Sequence, residues 1–170
     1  MMGKTIVSLR KITESDIPFI VKWRNSAFVS NNFVIRNAFT EENQKEWINN
    51  VVAKGKAIQY IILHDNSPIG SVYIRDIDYI HRKGEFGIFI GERDFAGKGA
   101  GLIATRDILQ IAFDELKLHR VYLRVFTDNI SAIKTYEKAG FIKEGLLRDT
   151  VYVDGKFRDM FLMGIVNNEN

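Results

Sequence analysis

The chain contains no cysteine. That absence excludes a disulfide framework, a thiolate metal site and a cysteinyl covalent intermediate, and it agrees with a reducing compartment. Any acyl transfer must therefore be direct or use another nucleophile. Proline is nearly absent too, with only Pro18 and Pro68, and there is no proline-rich linker, internal repeat or low-complexity segment. The 170 residues, 46% of them hydrophobic, read as one globular domain spanning 1–170. No run of about 18 apolar residues occurs, and no apolar segment of signal-peptide length follows Met1-Met2-Gly3-Lys4, which reads as a soluble cytoplasmic protein without a membrane partner. Excess charge is lacking as well. The 24 basic and 21 acidic residues leave a net charge of +3, interspersed without a basic arm, so a small anionic ligand fits better than a nucleic acid. His64, His81 and His119 lie far apart without metal-ligand spacing, so no metal site is expected.

What is present is a regular alternation of strand and helix patterns. Residues 7–12 read as a strand, and Thr13-Glu14-Ser15-Asp16 forms a cap-like cluster before an apolar-periodic helix over 17–25. A second helix is predicted over 40–52, capped by Thr40, with Trp47, Ile48 and Val51 as its buried stripe. Residues 26–39 lack periodicity and read as a loop or a mobile helix end. Strands over 57–64 and 69–76, joined by the turn Asp65-Asn66-Ser67-Pro68, suggest an antiparallel hairpin. A strand at 86–90 leads through glycines into a helix over 102–116 and then a strand over 119–126, an order that demands a right-handed parallel crossover. A fourth helix starts near Asp128-Asn129 and stops at Gly140. Residues 141–153 and 157–166 flank Asp154-Gly155, a two-residue hairpin signal. The sum is a mixed α/β architecture of the α+β kind, with roughly seven strands and about four helices.

The chemistry-bearing motif is Asp94-Phe95-Ala96-Gly97-Lys98-Gly99-Ala100-Gly101. A glycine-rich turn between strand and helix gathers free N–H groups where a ligand can approach the backbone, and Lys98 adds a point charge. A phosphate fits there. Walker A spacing fails because Lys98 is followed by Gly99 rather than by Ser or Thr, and a Rossmann fingerprint fails because Leu102 stands where its third glycine would be. A flexible turn without a ligand is the remaining alternative.

Two motifs together carry a family resemblance. The hexamer Ala96-Gly97-Lys98-Gly99-Ala100-Gly101 is similar to the Arg/Gln-x-x-Gly-x-Gly/Ala signature of GNAT-type N-acetyltransferases, with Ala96 where Arg or Gln is common. The segment Asn129-Ile130-Ser131-Ala132-Ile133-Lys134-Thr135-Tyr136-Glu137-Lys138-Ala139-Gly140-Phe141 resembles the later motif of the same superfamily, in the branch of ribosomal-protein N-terminal and amino-sugar acetyltransferases. The resemblance implies acetyl-CoA as donor and a primary amine as acceptor. It also implies that Ala96, Gly97, Lys98, Gly99, Ala100 and Gly101 hold the pyrophosphate through main-chain N–H groups, and that Phe89 and Ile90 pair with the pantetheine arm as another strand would. Asn129 would support that arm and Tyr136 would protonate the departing thiolate. Asn129 and Tyr136 are seven residues apart, which puts them on one helix face.

An ammonium has no lone pair, so a positioned base or a water chain must take the proton of the acceptor amine at neutral pH. Glu85 is the candidate, since a similar glutamate serves as base in some family members; the alternative is a solvated residue beside Lys83 and Arg82. Lys22-Trp23-Arg24-Asn25 falls where family members build the acceptor side, with Trp23 equally at home in the core. Between Lys22 and Trp47 the charges are mixed, with no carboxylate-rich basin such as a polyamine requires. The acceptor expected is a nucleotide-linked amino sugar or a protein N-terminal amine. An idle acyl-CoA-binding regulatory module is the alternative of another class, and the C-terminal hairpin offers an edge strand for a homodimer.

Overall fold

A computed structural model of the chain describes residues 6–168. Seven strands, Val7–Lys11 (β1), Ile58–His64 (β2), Ser67–Asp78 (β3), Lys83–Ile90 (β4), Arg120–Phe126 (β5), Ile142–Val153 (β6) and Lys156–Val166 (β7), form one sheet in the order β1-β2-β3-β4-β5-β7-β6. Every neighbouring pair is antiparallel except β4 and β5. The helices are Ile17–Asn25 (α1), Ala27–Ser30 (α2), Glu41–Trp47 (α3), Ala100–Gln110 (α4) and Ile130–Ala139 (α5).

Side chains alternate across a strand, so each strand feeds two cores. Tyr60 and Ile62 of β2, Val72 and Ile74 of β3 and Phe86 of β4 pack with Ala104 and Ile108 of α4 and Ile133 of α5. Ile61 of β2 and Phe89 of β4 point the other way, against Ile20 and Trp23 of α1 and Val29 of α2. The sheet is thus covered on one face by α4 and α5 and on the other by α1 to α3. The buried stripe of α1 is Ile17, Ile20 and Trp23 at three-residue spacing, with Pro18 in its first turn.

The strand and helix order follows the sequence reading closely, with three differences. Residues 26–39 contain the short helix α2, capped by the Ser26 hydroxyl, which accepts from the Val29 N–H at 3.4 Å. That makes five helices, where four were expected. The helix begun at Thr40 changes register at Ile48–Val52, where i→i+5 bonding replaces i→i+4; its expected stripe Trp47, Ile48 and Val51 is half-buried, while Gln44 is the residue fully enclosed. Finally, Asp65 and Asn66 both adopt positive φ and close the β2–β3 hairpin as two residues, so β3 begins at Ser67 and Pro68 sits beside a bulge.

Helix α1 is pinned to β1 through Asp16. Its carboxylate, almost fully buried, accepts from Arg10 Nη1 and Nη2 at 3.0 and 2.7 Å, from the Thr13 N–H at 2.8 Å and from the Thr13 hydroxyl at 3.2 Å. Burial alone would raise its pKa, but these donors and the Arg10 charge outweigh it and hold the carboxyl below its ordinary value. The sign follows: Asp16 contributes stability above about pH 4 and loses it as pH falls through the folded-state value. Asp16→Asn is expected to cost about 1–2 kcal/mol in urea unfolding at pH 7. The difference from wild type should shrink toward pH 3, a trend absent if Asp16 contributes only packing.

Candidate active site

The site begins with a mismatch in strand pairing. On one edge β4 is bonded to β3 all the way to Ile90, opposite Gly70. On its other edge it pairs with β5 only at Lys83, Gly84 and Glu85, opposite Arg120, Val121 and Tyr122. Beyond that point the strands part, and β5 continues with β7 alone. Residues 86–90 therefore present main-chain donors and acceptors with no strand on the β5 side, a ready edge for an extended ligand. A cavity of about 890 Å³ fills the gap and reaches both faces of the sheet.

On the α4–α5 face the cavity meets the glycine turn. Gly97 and Gly99 have φ of +71° and +90°, left-handed conformations that glycine adopts without strain. The first helical bond of α4 runs from the Ile103 N–H to the Gly99 carbonyl at 3.2 Å, so the N–H groups of Ala100, Gly101 and Leu102 have no helical partner. No acidic residue stands in the first turn, and a Cβ at Gly97, Gly99 or Gly101 would meet nothing within 4 Å. The positive end of the helix is bare and approachable. Ala96 lines the same wall, and Lys98 makes no ion pair among the described residues. From α5, Lys134 and Lys138 add two cations to the cavity wall. Neither was singled out in the sequence, although their i, i+4 spacing put them on one helix face.

Asn129 caps α5, its side-chain oxygen accepting from the Ala132 N–H at 3.3 Å, while its amide donates to the Asn32 side-chain oxygen at 3.3 Å. That second bond joins the two walls of the cleft. Tyr136 is half-buried, its ring edge-on to Phe86 at 5.7 Å and to Phe141 at 6.0 Å. Its hydroxyl has no hydrogen-bond partner among the described residues and opens on the cavity. Burial pushes its pKa well above that of an ordinary phenol, with the nearby Tyr73 adding to the effect. The group stays protonated at neutral pH and can act as an acid.

The opposite face carries a charged cluster. Cross-strand register sets Tyr73 opposite Gly87 and Arg75 opposite Glu85, and places Tyr122 beside Glu85 on the other side. Gly87 leaves room for this arrangement, because a Cβ there would displace the far end of the Tyr73 ring. Glu85 is buried and accepts from Arg124 Nε at 2.9 Å and Arg124 Nη2 at 3.3 Å, while Arg75 Nη2 lies 3.3 Å away. It is no solvated strand-edge residue beside Lys83 and Arg82. Arg24, from α1, lies 3.6 Å over the Phe33 ring and 5.0 Å from the Phe39 ring. Burial chiefly, and to a smaller extent the charge of Arg75, disfavour its charged form and outweigh the opposite influence of Tyr73.

The segment Lys22-Trp23-Arg24-Asn25 divides by role. Trp23 is in the core, and its indole donates to Glu92 at 2.7 Å, with Lys22 at 3.2 Å from the same oxygen. Asn25 holds Phe39 by two main-chain bonds of 2.7 and 2.8 Å. Arg24 alone faces the cavity. Phe89 turns its side chain into the α1–α2 core, leaving only its backbone to the gap. His81 lies in an exposed turn away from the cavity, and no group of three metal-ligating side chains exists among the described residues. The arrangement offers anion-binding amides and a protonated phenol on one side of a gap, and a carboxylate among guanidinium groups on the other.

Comparisons with known proteins agree with this geometry. The family described as an acetyltransferase (GNAT) domain matches residues 7–142. Spermidine N(1)-acetyltransferase of Vibrio cholerae is 28% identical over 165 residues, covering 96% of this chain and 94% of that protein. The putative ribosomal N-acetyltransferase YdaF of Bacillus subtilis is 33% identical over 108 residues, covering 64% of this chain and 58% of its own length. The crystal structure of the Vibrio cholerae spermidine N-acetyltransferase with CoA and spermine superposes with a TM-score of 0.88 at 27% identity, covering 94% of this chain and 95% of that one. The chain belongs to the GNAT acetyltransferase family and is an acetyl-CoA-dependent N-acetyltransferase.

Proposed function

We propose that the enzyme acetylates a small-molecule primary amine by direct attack on the thioester within a ternary complex, the donor entering from the α4–α5 face and the acceptor from the α1–α3 face. The single observation that carries this reading is the continuous cavity through the β4–β5 gap, with phosphate-binding amides at one end and the charged cluster at the other. No cysteine is present to carry an acyl intermediate.

The amides of Gly97, Lys98, Gly99, Ala100 and Gly101 would hold the pyrophosphate, and Lys98, Lys134 and Lys138 would neutralise it. Ala96 contributes backbone where relatives commonly place a long polar side chain, so at most one phosphate contact is lost. The free edge of β4 at Phe89 and Ile90 would pair with the pantetheine arm, and Asn129 would bear on it from the opposite wall. As the new C–N bond forms and the C–S bond breaks, Tyr136 gives its proton to the departing thiolate. Glu85, the one acidic side chain lining the cavity among the described residues, takes the proton that the amine nitrogen of the adduct sheds. Two guanidinium groups already engage most of its lone pairs, so the acceptor ammonium first gives one proton to water and attacks as the neutral amine, and Glu85 takes the second proton after attack, when the nitrogen of the tetrahedral adduct is far more acidic than a free ammonium.

A small acceptor suits this cleft better than a protein N-terminus, because the Asn32–Asn129 bond ties its walls and Phe33, Val34 and Ile35 line it. The outer strand β6 carries exposed Ile142, Leu146 and Tyr152, and we propose self-association there. A relative, the Vibrio cholerae spermidine enzyme, has a solved structure described as dodecameric.

Two outcomes test the catalytic assignments. Tyr136→Phe should lower kcat by about 10²-fold while the Kd of acetyl-CoA, measured by calorimetry, stays within twofold. Because the Tyr136 pKa is raised, wild-type kcat should show no alkaline limb from this group up to about pH 10. An unaltered kcat in the variant would remove Tyr136 from the reaction. Gly99→Ala, which forces a side chain into φ of +90° at the cradle, should weaken acetyl-CoA binding by about tenfold or more. Equal binding would mean that the turn does not hold the donor.

A further inference from the structure

Within the acetyltransferase reading above, on which this step rests, we infer that the acceptor carries an anionic oxygen group, a carboxylate or a phosphate ester, beside its amine, and that Arg24 is the residue that reads it. The first observation is the charge inventory. Among the described residues, three guanidinium groups on the α1–α3 face, Arg24, Arg75 and Arg124, line the cavity against the single carboxylate of Glu85. Arg124 and Arg75 both use Glu85, and Arg75 also lies 3.7 Å from Asp76, an exposed residue outside the cavity wall. Arg24 has no carboxylate and no hydrogen-bond partner among the described residues; its neighbours are the rings of Phe33 and Phe39, the phenol of Tyr73, which stays neutral at pH 7, and the like charge of Arg75.

A cation withdrawn from water beside another cation is unfavourable unless an anion reaches it. Its retention there has a reason if the anion arrives with the ligand. The second observation is the way the guanidinium is held. Stacking on Phe33 at 3.6 Å fixes its plane and leaves its N–H fork free, the geometry that suits bidentate binding of carboxylate or phosphate oxygens. Lys22, Trp23 and Asn25 all make hydrogen bonds that hold α1 and the following loop in place, so the fold does not need Arg24 for that purpose.

The third observation concerns the other class of acceptor. A polyamine brings two or more further positive charges, and these would meet three guanidinium groups with one carboxylate already engaged. The same surroundings favour a zwitterionic acceptor, its amine near Glu85 and its anion on Arg24. Spermidine, the acceptor named for relatives of this chain, is thereby disfavoured in this cleft.

The test compares matched amines for acetyl-CoA-dependent thiol release and, separately, for binding to the CoA-loaded enzyme by calorimetry. β-Alanine against β-alaninamide probes a carboxylate. Glucosamine 6-phosphate and a uridine-diphosphate-linked amino sugar, each against glucosamine, probe a phosphate, and spermidine probes the polycation. The expected result is a kcat/KM at least 30-fold higher for the anionic member of one pair than for its uncharged analogue. Arg24→Met should collapse that ratio to within about threefold through KM, Arg24→Lys should restore part of it, and the melting temperature of Arg24→Met should equal or exceed that of wild type. Better turnover of spermidine than of every anionic amine, or an anionic preference that Arg24→Met leaves intact, would overturn the inference while leaving the transferase reading in place. Arg24-dependent binding of an anionic amine with no thiol release from any amine would sink the transferase reading and keep the anion site.

Discussion

The structure depends on the parting of β4 from β5 after three paired residues. A parallel pair that continued to Ile90 would saturate the β4 edge and close the sheet. Because it stops at Glu85, the backbone of residues 86–90 keeps an unpaired edge in the middle of the sheet, where both faces are otherwise covered by helices. An interior edge of this kind is costly unless something pairs with it, and in the reading proposed above an extended pantetheine arm is that partner. The same gap opens the cavity to both faces of the sheet, as the proposed meeting of donor and acceptor requires. Fold and chemistry share one irregularity.

The two faces differ in how they carry charge. On the α4–α5 side the positive potential comes from backbone amides at the bare start of α4 and from flexible lysines, a pattern that receives phosphates without demanding one geometry. On the α1–α3 side the cations are arginines held by strands and rings, which makes them selective. Gly87 links the two sides, since only without a side chain there can the Tyr73 ring lie over β4 at the point where the strands diverge. Burial on both sides keeps the phenols of Tyr73 and Tyr136 protonated, so the cavity is lined by neutral hydroxyls on either face of the sheet.

Most of the architecture was legible in the sequence because its signals are local. Strand alternation, the Thr40 and Asn129 caps, the Asp154-Gly155 turn and the glycine run each depend on a few consecutive residues, and α1 and α5 fall within a residue or so of where the sequence puts them. Helix α2 was missed because four residues are too short for a period to register. The i→i+5 turns that continue α3 over Ile48–Val52 and α4 over Ile111–Glu115 left no periodic signature, since such a turn alters the phase by a single residue. The site was legible on the donor side, where the motif is contiguous. It was only partly legible on the acceptor side, where Arg24, Tyr73, Arg75, Glu85 and Arg124 come from α1, β3, β4 and β5 and meet only through cross-strand register. Glu85 was found by resemblance, yet its two arginine partners could not be, because nothing local in the sequence sets the register that brings Arg75 and Arg124 to it.

The account turns on the gap between β4 and β5 being the place where donor and acceptor meet. A crystal structure of the enzyme with CoA tests it most directly. The expected density has the pyrophosphate on the amides of residues 97–101, the pantetheine arm hydrogen-bonded to the backbone of Phe89 and Ile90, and the sulfur within hydrogen-bonding reach of the Tyr136 hydroxyl. A pantetheine arm lying outside the gap, with β4 and β5 still parted and empty between them, would contradict it.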